Sequence, residues 1–311
     1  MDFSSGCSRP DVLLTGATGF VGAFLLRALL DRGTARIHCL ARGGSTHEVA
    51  RRIQTAQDIY GLGPLDESRV TPVPGDVAKP GLGLRPAEFD RLADRIGAVV
   101  HAGAHVNLIM PARMLEAANV TGTREILRLA GRAGAALDYI STSEVFGPAD
   151  GAVDEHSPPL EPATGYGQTK LAGERLVLEA RAAGLPARVH RLDRIAGDSR
   201  TGACQPGGDD FWLLVRSALS TGVLPDAEVN VTPVDFAAEA VLALSAATGP
   251  AHRPVTHGPV THICHPRPLP LTELAAGLGR PVELLPLGSG PTPCGGSAAR
   301  RTATRCCSCS R

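Results

Sequence analysis

The chain is predicted to fold as an α/β protein around a doubly wound parallel sheet, with a smaller C-terminal lobe. Three observations carry this. Short apolar runs alternate with helix-forming runs up to Leu192. A glycine-punctuated turn, Gly16-Ala17-Thr18-Gly19-Phe20-Val21-Gly22, joins the first apolar run to the first helix, and Tyr166 and Lys170 stand four residues apart at the start of a later helix.

Asp11-Val12-Leu13-Leu14 is apolar enough for a buried parallel strand, and residues 20–30 read as a helix stopped at Asp31-Arg32-Gly33. Between them Gly16 permits a tight turn, Gly19 lets backbone approach a pyrophosphate, and Gly22 allows close packing of helix on strand. The helix N-terminus is then aimed at the phosphates, as in a Rossmann dinucleotide site. A glycine-rich loop without a ligand is the competing reading; the strand, turn and helix context near the N-terminus favours the dinucleotide. The second strand, residues 36–40, ends in Ala41-Arg42 where an NAD enzyme would offer Asp or Glu to the ribose 2′-hydroxyl. Arg42 favours a 2′-phosphate. Arg51 or Arg52 on the next helix offers a second cation, the other being a solvated basic residue.

Further strands are expected at residues 70–74 (followed by Gly75-Asp76-Val77), 98–102, 137–140 and 187–192, with helices over 111–132 and 166–183. Beyond Asp193 the pattern loosens into a glycine-rich loop at 202–208, a helix over 209–221 and a helix N-capped by Asp235. This gives an N-terminal extension at 1–10, a Rossmann domain at 11–192, a substrate lobe at 193–287 and a disordered tail at 288–311. The tail is rich in Cys and Arg, and its composition resembles translation in a shifted reading frame. Its Cys294, Cys306, Cys307 and Cys309 lack the paired spacing of a zinc ribbon, while Cys7, Cys39, Cys204 and Cys264 are scattered singly and fit reduced thiols.

The 311 residues carry 31 basic and 31 acidic side chains, so charge recommends no nucleic-acid partner. No apolar stretch is of membrane-spanning length and the first ten residues lack a signal-peptide plan, so a cytoplasmic location is the default expectation. A four-residue step puts Tyr166 and Lys170 on one helix face, where the ammonium can lower the phenol's pKa and make Tyr166 a proton donor near neutrality. His101 and His105 have no carboxylate spaced to complete a metal site, and no metal is expected.

Six stretches together carry a family resemblance: Leu14-Thr15-Gly16-Ala17-Thr18-Gly19-Phe20-Val21-Gly22, Cys39-Leu40-Ala41-Arg42, His101-Ala102-Gly103-Ala104-His105-Val106-Asn107, Asn119-Val120-Thr121-Gly122-Thr123, Tyr166-Gly167-Gln168-Thr169-Lys170, and Ile195-Ala196-Gly197-Asp198-Ser199-Arg200-Thr201-Gly202. The chain resembles an extended short-chain dehydrogenase/reductase, and more narrowly the thioester reductase domains that terminate nonribosomal peptide and polyketide assembly lines and carboxylic acid reductases. The third and sixth stretches are the restrictive ones, and the match runs from about Asp11 to about Pro286.

The resemblance implies that Thr142 hydrogen-bonds the reacting carbonyl, that Tyr166 is the acid, and that Lys170 binds the nicotinamide ribose and tunes the tyrosine. It implies NADPH held by Gly16, Thr18, Gly19, Phe20, Val21, Gly22, Arg42, Arg52, Asp76, Val77, Ala102, Gly103, Ala104 and Asn119, together with Tyr166 and Lys170. The implied substrate is an acyl thioester on a phosphopantetheinyl carrier protein or on CoA, reduced to an aldehyde or on to the alcohol, by a monomer or by a domain of a larger synthase. The chain departs from the family in having Leu192-Asp193-Arg194 where small residues such as Pro-Gly usually follow the sixth strand, and in a substrate lobe expected to be short. The rivals are a nucleotide-sugar epimerase or dehydratase, disfavoured by Ser143 in place of an acid after Thr142, and a catalytically silent NADP-binding regulator or scaffold, disfavoured by intact Thr142, Tyr166 and Lys170.

Overall fold

The computed structural model describes residues 11–33, 35–147, 153–205, 210–245 and 258–286. Expectations for the N-terminal extension, the tail with its four cysteines, Cys7 and the end of the glycine-rich loop lie outside these residues.

In chain order the first half runs β1 (Asp11–Thr15), α1 (Phe20–Arg32), β2 (Ile37–Ala41), α2 (Thr46–Ile59), β3 (Val70–Pro74), α3 (Pro86–Ala93), β4 (Ile96–His101), α4 (Ala112–Glu116), α5 (Gly122–Ala133), β5 (Ala136–Thr142), α6 (Gly165–Ala182) and β6 (Ala187–Leu192). The second half contains β7 (Ile195–Ala196), α7 (Asp210–Thr221), β8 (Val223–Asp226), β9 (Glu228–Val229), β10 (Thr232–Pro233), α8 (Val234–Leu244), β11 (Val260–Ile263), β12 (Leu269–Pro270), α9 (Leu271–Gly277) and β13 (Glu283–Pro286).

Seven strands form one parallel sheet in the order β11-β6-β5-β4-β1-β2-β3. The alternation along each strand feeds two cores. Val12, Leu14, Ala98 and Val100 face α1, α2 and α8, while Leu13, Ile96 and Val99 face the opposite layer with residues of α3, α5 and α6. Cys39 is fully buried in β2, and that burial pushes its thiol up to about 12, so it is an inert core residue.

The chain departs from the sequence expectations at four places. The helix expected over 111–132 is interrupted by a π turn at Ala117–Thr121, between α4 and α5. Asp235 lies in the first turn of α8 and does not cap it; Pro233 holds the cap position, and Asp235 instead accepts from the Ser199 backbone NH at 2.9 Å and the Ser199 hydroxyl at 2.7 Å. The seventh strand, β11, was not anticipated. It follows β6 at the sheet edge and is only four residues long, Val-Thr-His-Ile, too short for an alternation to stand out. Finally, two elements beyond Asp193, β11 and α8, join the Rossmann unit itself, α8 packing on α1. The rest of this half is built from short pairs: β7 with β10, β9 with β12, and β8 with β13.

Candidate active site

The strand order places the site. β1 is followed on one side by β2 and on the other by β4, so the connections leaving their C-terminal ends diverge and open a crevice there. A cleft of about 860 Å³ occupies it, which is large enough for a dinucleotide and part of a second ligand. From one side to the other its wall takes Arg42 after β2, the glycine turn after β1, Ala102 to Val106 after β4, Thr142 to Glu144 from the end of β5, and Asp193 to Ile195 after β6.

Two of the glycines are required by contact. Gly16 has φ +82°, and a Cβ there would lie 2.7 Å from the Ala102 carbonyl carbon. A Cβ on Gly22 would lie 1.9 Å from the Gly16 carbonyl oxygen, so the first turn of α1 is seated against the glycine turn itself. These close approaches leave a concave backbone surface at the N-terminus of α1, the arrangement that accepts an anionic group. Thr18, Gly19, Phe20, Val21, Asp76, Val77, Ala102, Gly103 and Ala104 also line the cleft. Of the candidate cations, Arg42 and Arg52 reach the cleft and Arg51 is exposed outside its wall. Arg52 donates to the Arg42 backbone carbonyl, which fixes the Arg52 guanidinium beside the end of β2.

The loop after β4 rests on a polar ladder. The Gly103 NH donates to Thr15 Oγ1 at 2.9 Å, and the Thr15 hydroxyl meets His101 Nδ1 at 2.7 Å. Burial, aided by the charge on Lys170, pushes His101 down to about 3, so the imidazole is neutral. His101 is thus a structural support. His105, by contrast, is exposed on the cleft wall, and among the described residues no group of three or more His, Cys, Asp or Glu is placed to hold a metal ion.

Asn119 stands behind the wall. It is 1% exposed, its Oδ1 accepts from the His105 NH at 2.7 Å, and its Nδ2 donates to the His105 carbonyl and to Thr169 Oγ1, each at 3.0 Å. It clasps the loop after β4 to α6 from its place on the π turn, and its reach is spent on protein groups. π turns of this kind recur where a helix must aim one side chain inward.

Thr142 and Tyr166 face the cleft together. Thr142 ends β5, and its Oγ1 accepts from the Glu144 NH at 3.2 Å. Tyr166 is in the first turn of α6, whose Thr164 cap accepts from the Gly167 NH at 3.0 Å. Lys170 is 2% exposed and does not meet the tyrosine as the four-residue spacing had suggested. Its Nζ donates to the Ile140 carbonyl at 2.7 Å and sits 3.9 Å over the Tyr139 ring. Burial, opposed by the nearby Glu174 charge, lowers it to about 7. For Tyr166 the direction is opposite to the expectation: burial, then the Glu144 charge, raises the phenol above its ordinary value. Tyr166 is therefore a protonated phenol, the form that donates.

The base of this region is a buried ion pair. Glu174, one turn after Lys170, takes Arg191 Nη2 at 2.7 Å and Nε at 3.0 Å and accepts from the Ser141 hydroxyl at 2.5 Å; both charged residues are under 5% exposed. Arg191 also stacks over Phe146. The pair ties α6 to the ends of β5 and β6, where Thr142 and Asp193 enter the cleft. Asp193 in turn accepts from the Ser143 hydroxyl at 3.1 Å, so this charged departure from the family pattern is engaged at the rim.

Because the folded-state value of Lys170 lies below the ordinary 10.5, the unfolded chain binds the extra proton between the two. The cost of burying Lys170 is complete below about pH 7 and fades as pH rises towards the ordinary value. Lys170→Met should consequently raise the melting temperature relative to the parent more at about pH 6 than at about pH 10. Melting curves showing the reverse trend would contradict the assigned direction.

Sequence reasoning did not single out Val106, Leu108, Met114 and Trp212, which also line the cleft. Val106 falls within the restrictive third stretch but was not assigned a role there, and Leu108, Met114 and Trp212 fall in no motif. The Gly197 to Gly202 stretch, although restrictive for the family, forms a turn closed by Asp198 and Thr201 beside the cleft wall and is tied to α8 through Ser199.

Fold and cleft together define a nicotinamide-dinucleotide-binding protein of the Rossmann class. The family described as "Male sterility protein" matches residues 14–241, and the chain belongs to it, within the extended short-chain dehydrogenase/reductases. The crystal structure of the terminal R domain from the myxalamid PKS-NRPS biosynthetic pathway superposes with TM-score 0.82 at 36% identity, covering 89% of this chain and 72% of that one. Glycine betaine reductase ATRR of Emericella nidulans is 40% identical over 304 residues, 90% of this chain and 23% of that protein. Isonitrile lipopeptide synthase of Streptomyces coeruleorubidus is 38% identical over 288 residues, 89% of this chain and 19% of that protein. The chain thus spans less than a quarter of either curated relative. A UDP-glucuronic acid 4-epimerase from Bacillus cereus shares the fold at 23% identity and TM-score 0.68. The chain belongs with the reductase-type domains, and with the epimerase it shares the fold alone. No described helix is long and apolar enough to cross a membrane.

Proposed function

We propose that the protein reduces an acyl thioester, carried on a phosphopantetheinyl arm, to the aldehyde at the expense of NADPH. The observation that carries this reading is the sharing of one cleft by Thr142 and Tyr166 with the glycine turn and Arg42. The glycine turn and the α1 N-terminus would hold the pyrophosphate, Arg42 and Arg52 the 2′-phosphate, and Lys170, once drawn from the Ile140 carbonyl, the nicotinamide ribose. When bound, the dinucleotide supplies a hydride. Thr142 donates a hydrogen bond to the thioester carbonyl oxygen, and Tyr166 gives its phenolic proton to that oxygen as charge develops there. Collapse of the resulting hemithioacetal expels the thiol and leaves the aldehyde. Lys170, near neutrality in its own titration, is suited to return the proton to Tyr166. Residues 193–286 supply the substrate side of the wall through Asp193, Arg194 and Trp212. The synthase relative is a much longer chain than its matching stretch, and we extend that setting, a domain within a larger synthase, to this protein.

The test is dinucleotide oxidation with acyl-pantetheine thioesters, with the carbonyl product identified. Thioester-dependent oxidation yielding aldehyde is expected; oxidation without thioester, or none with any thioester, would overturn the reading. Selectivity for the phosphorylated cofactor is checked separately. A charge-assisted phosphate contact contributes about 1.5–3 kcal/mol, so Arg42→Ala should weaken NADPH binding by about tenfold or more and leave NADH nearly unchanged. Equal losses for both would make Arg42 a structural residue.

A further inference from the structure

The apolar residues at the mouth of the cleft carry a more specific conclusion, which rests on the thioester reading above. Among the described residues, Val106 is 61% exposed and Ile109 95%, both in the segment after β4, and Met114, in the α4 that follows, is 57% exposed. Large apolar side chains gathered at the surface in this way mark a place where something apolar is received.

Their exposure is built in. Asn119 clasps His105 at one end of the segment, and Asn107 Oδ1 accepts from the backbone NH groups of Ile109 at 2.9 Å and Met110 at 2.8 Å. The segment is a braced turn that points its side chains outward, and α4 begins directly after it. It also abuts the acid. A Cβ on Gly165, the residue before Tyr166, would lie 2.4 Å from both the Met110 carbonyl oxygen and the Ala112 nitrogen, so the start of α6 is pressed onto this segment. Val106, Leu108 and Met114 line the same cleft as Tyr166 and Thr142, and Trp212 of α7 lines it too.

A thioester whose carbonyl oxygen meets Thr142 and Tyr166 must send its acyl group somewhere within that cleft. The end towards β2 is cationic and belongs to the dinucleotide. We infer that Val106, Leu108, Met114 and Trp212 form the acyl subsite, and that the preferred substrates carry an unbranched or lightly branched aliphatic acyl group, not a charged or strongly polar one. The occupant is the substrate's own chain, because the patch is continuous with the cleft at the residue that donates the proton.

Trp212 is the sole tryptophan of the chain, so its fluorescence reports occupancy without turnover. The experiment titrates acetyl-, butyryl-, octanoyl- and dodecanoyl-pantetheine into the protein with oxidised cofactor present, following Trp212 emission, and measures NADPH oxidation on the same series. Affinity and kcat/KM are expected to rise together with chain length, by up to about fourfold for each methylene that becomes buried. Val106→Ser combined with Met114→Ser should flatten the rise, so that the ratio of dodecanoyl- to acetyl-pantetheine kcat/KM falls towards one. If all thioesters are reduced with no dependence on chain length, or a polar acyl group of equal size is preferred, the acyl subsite is overturned while thioester reduction stands. If emission follows chain length but no thioester is reduced, the subsite stands and the assigned reaction fails. Emission and turnover both indifferent to every thioester would overturn both.

Discussion

Replacing Tyr166 by Phe should lower thioester reduction by about 10²- to 10⁴-fold and leave cofactor affinity near the parent value. In the proposed reaction the lost hydroxyl is the group that meets the carbonyl oxygen, and the ring that remains still fills its place in the cleft wall. Burial and the Glu144 charge both hold the phenol protonated, so the parent enzyme carries the donor across the neutral range. Steady-state turnover of acyl-pantetheine, paired with equilibrium binding of the dinucleotide, separates the two effects. Near-parent turnover in the variant would remove Tyr166 from the role of acid, and a large loss of cofactor binding would place it at the nicotinamide.

Glu174→Ala should cost about 3–5 kcal/mol of folding stability, because it leaves Arg191 charged, buried and without the carboxylate that satisfies its guanidinium. The Ser141 hydroxyl loses its acceptor in the same stroke. Denaturant unfolding measures the loss. The double change Glu174→Leu with Arg191→Met should recover most of it, since a buried ion pair exchanged whole for apolar groups of similar volume is often near neutral. If the single variant is as stable as the parent, the Arg191 guanidinium finds another hydrogen-bond acceptor, with His262 Nε2 at 3.3 Å the first place to look.

The Rossmann half was legible because its signals are local. Leu13 and its neighbours alternate between two cores, Gly16 and Gly22 leave room that no side chain can share, and the strand from Val70 to Pro74 ends where it was expected to end. What sequence could not supply was direction in space. The four-residue spacing of Tyr166 and Lys170 does put both on α6, yet it does not say that the ammonium donates to the Ile140 carbonyl and lies over the Tyr139 ring. Asn119 was read as a cofactor contact from its motif, and only the π turn reveals that its amide is committed to His105 and Thr169. The strand Val260–Ile263 escaped notice because its partner, β6, lies some seventy residues earlier and its four residues carry no period of their own. Among the apolar rim residues, Val106 and Met114 look like core residues on paper, yet both are more than half exposed.

The Asn119 clasp makes the two walls of the cleft mechanically unequal. On one side the loop after β4, the π turn and the catalytic helix are fastened by a single buried amide, so the apolar rim and Tyr166 travel as one piece. On the other side Trp212 rides on α7, which packs chiefly on the short strand β8, itself paired with β13 away from the main sheet. Under the proposed reading, the proton donor stands on the wall fastened by Asn119, and the acyl chain also meets the opposite wall, borne by α7 and the separately paired strands.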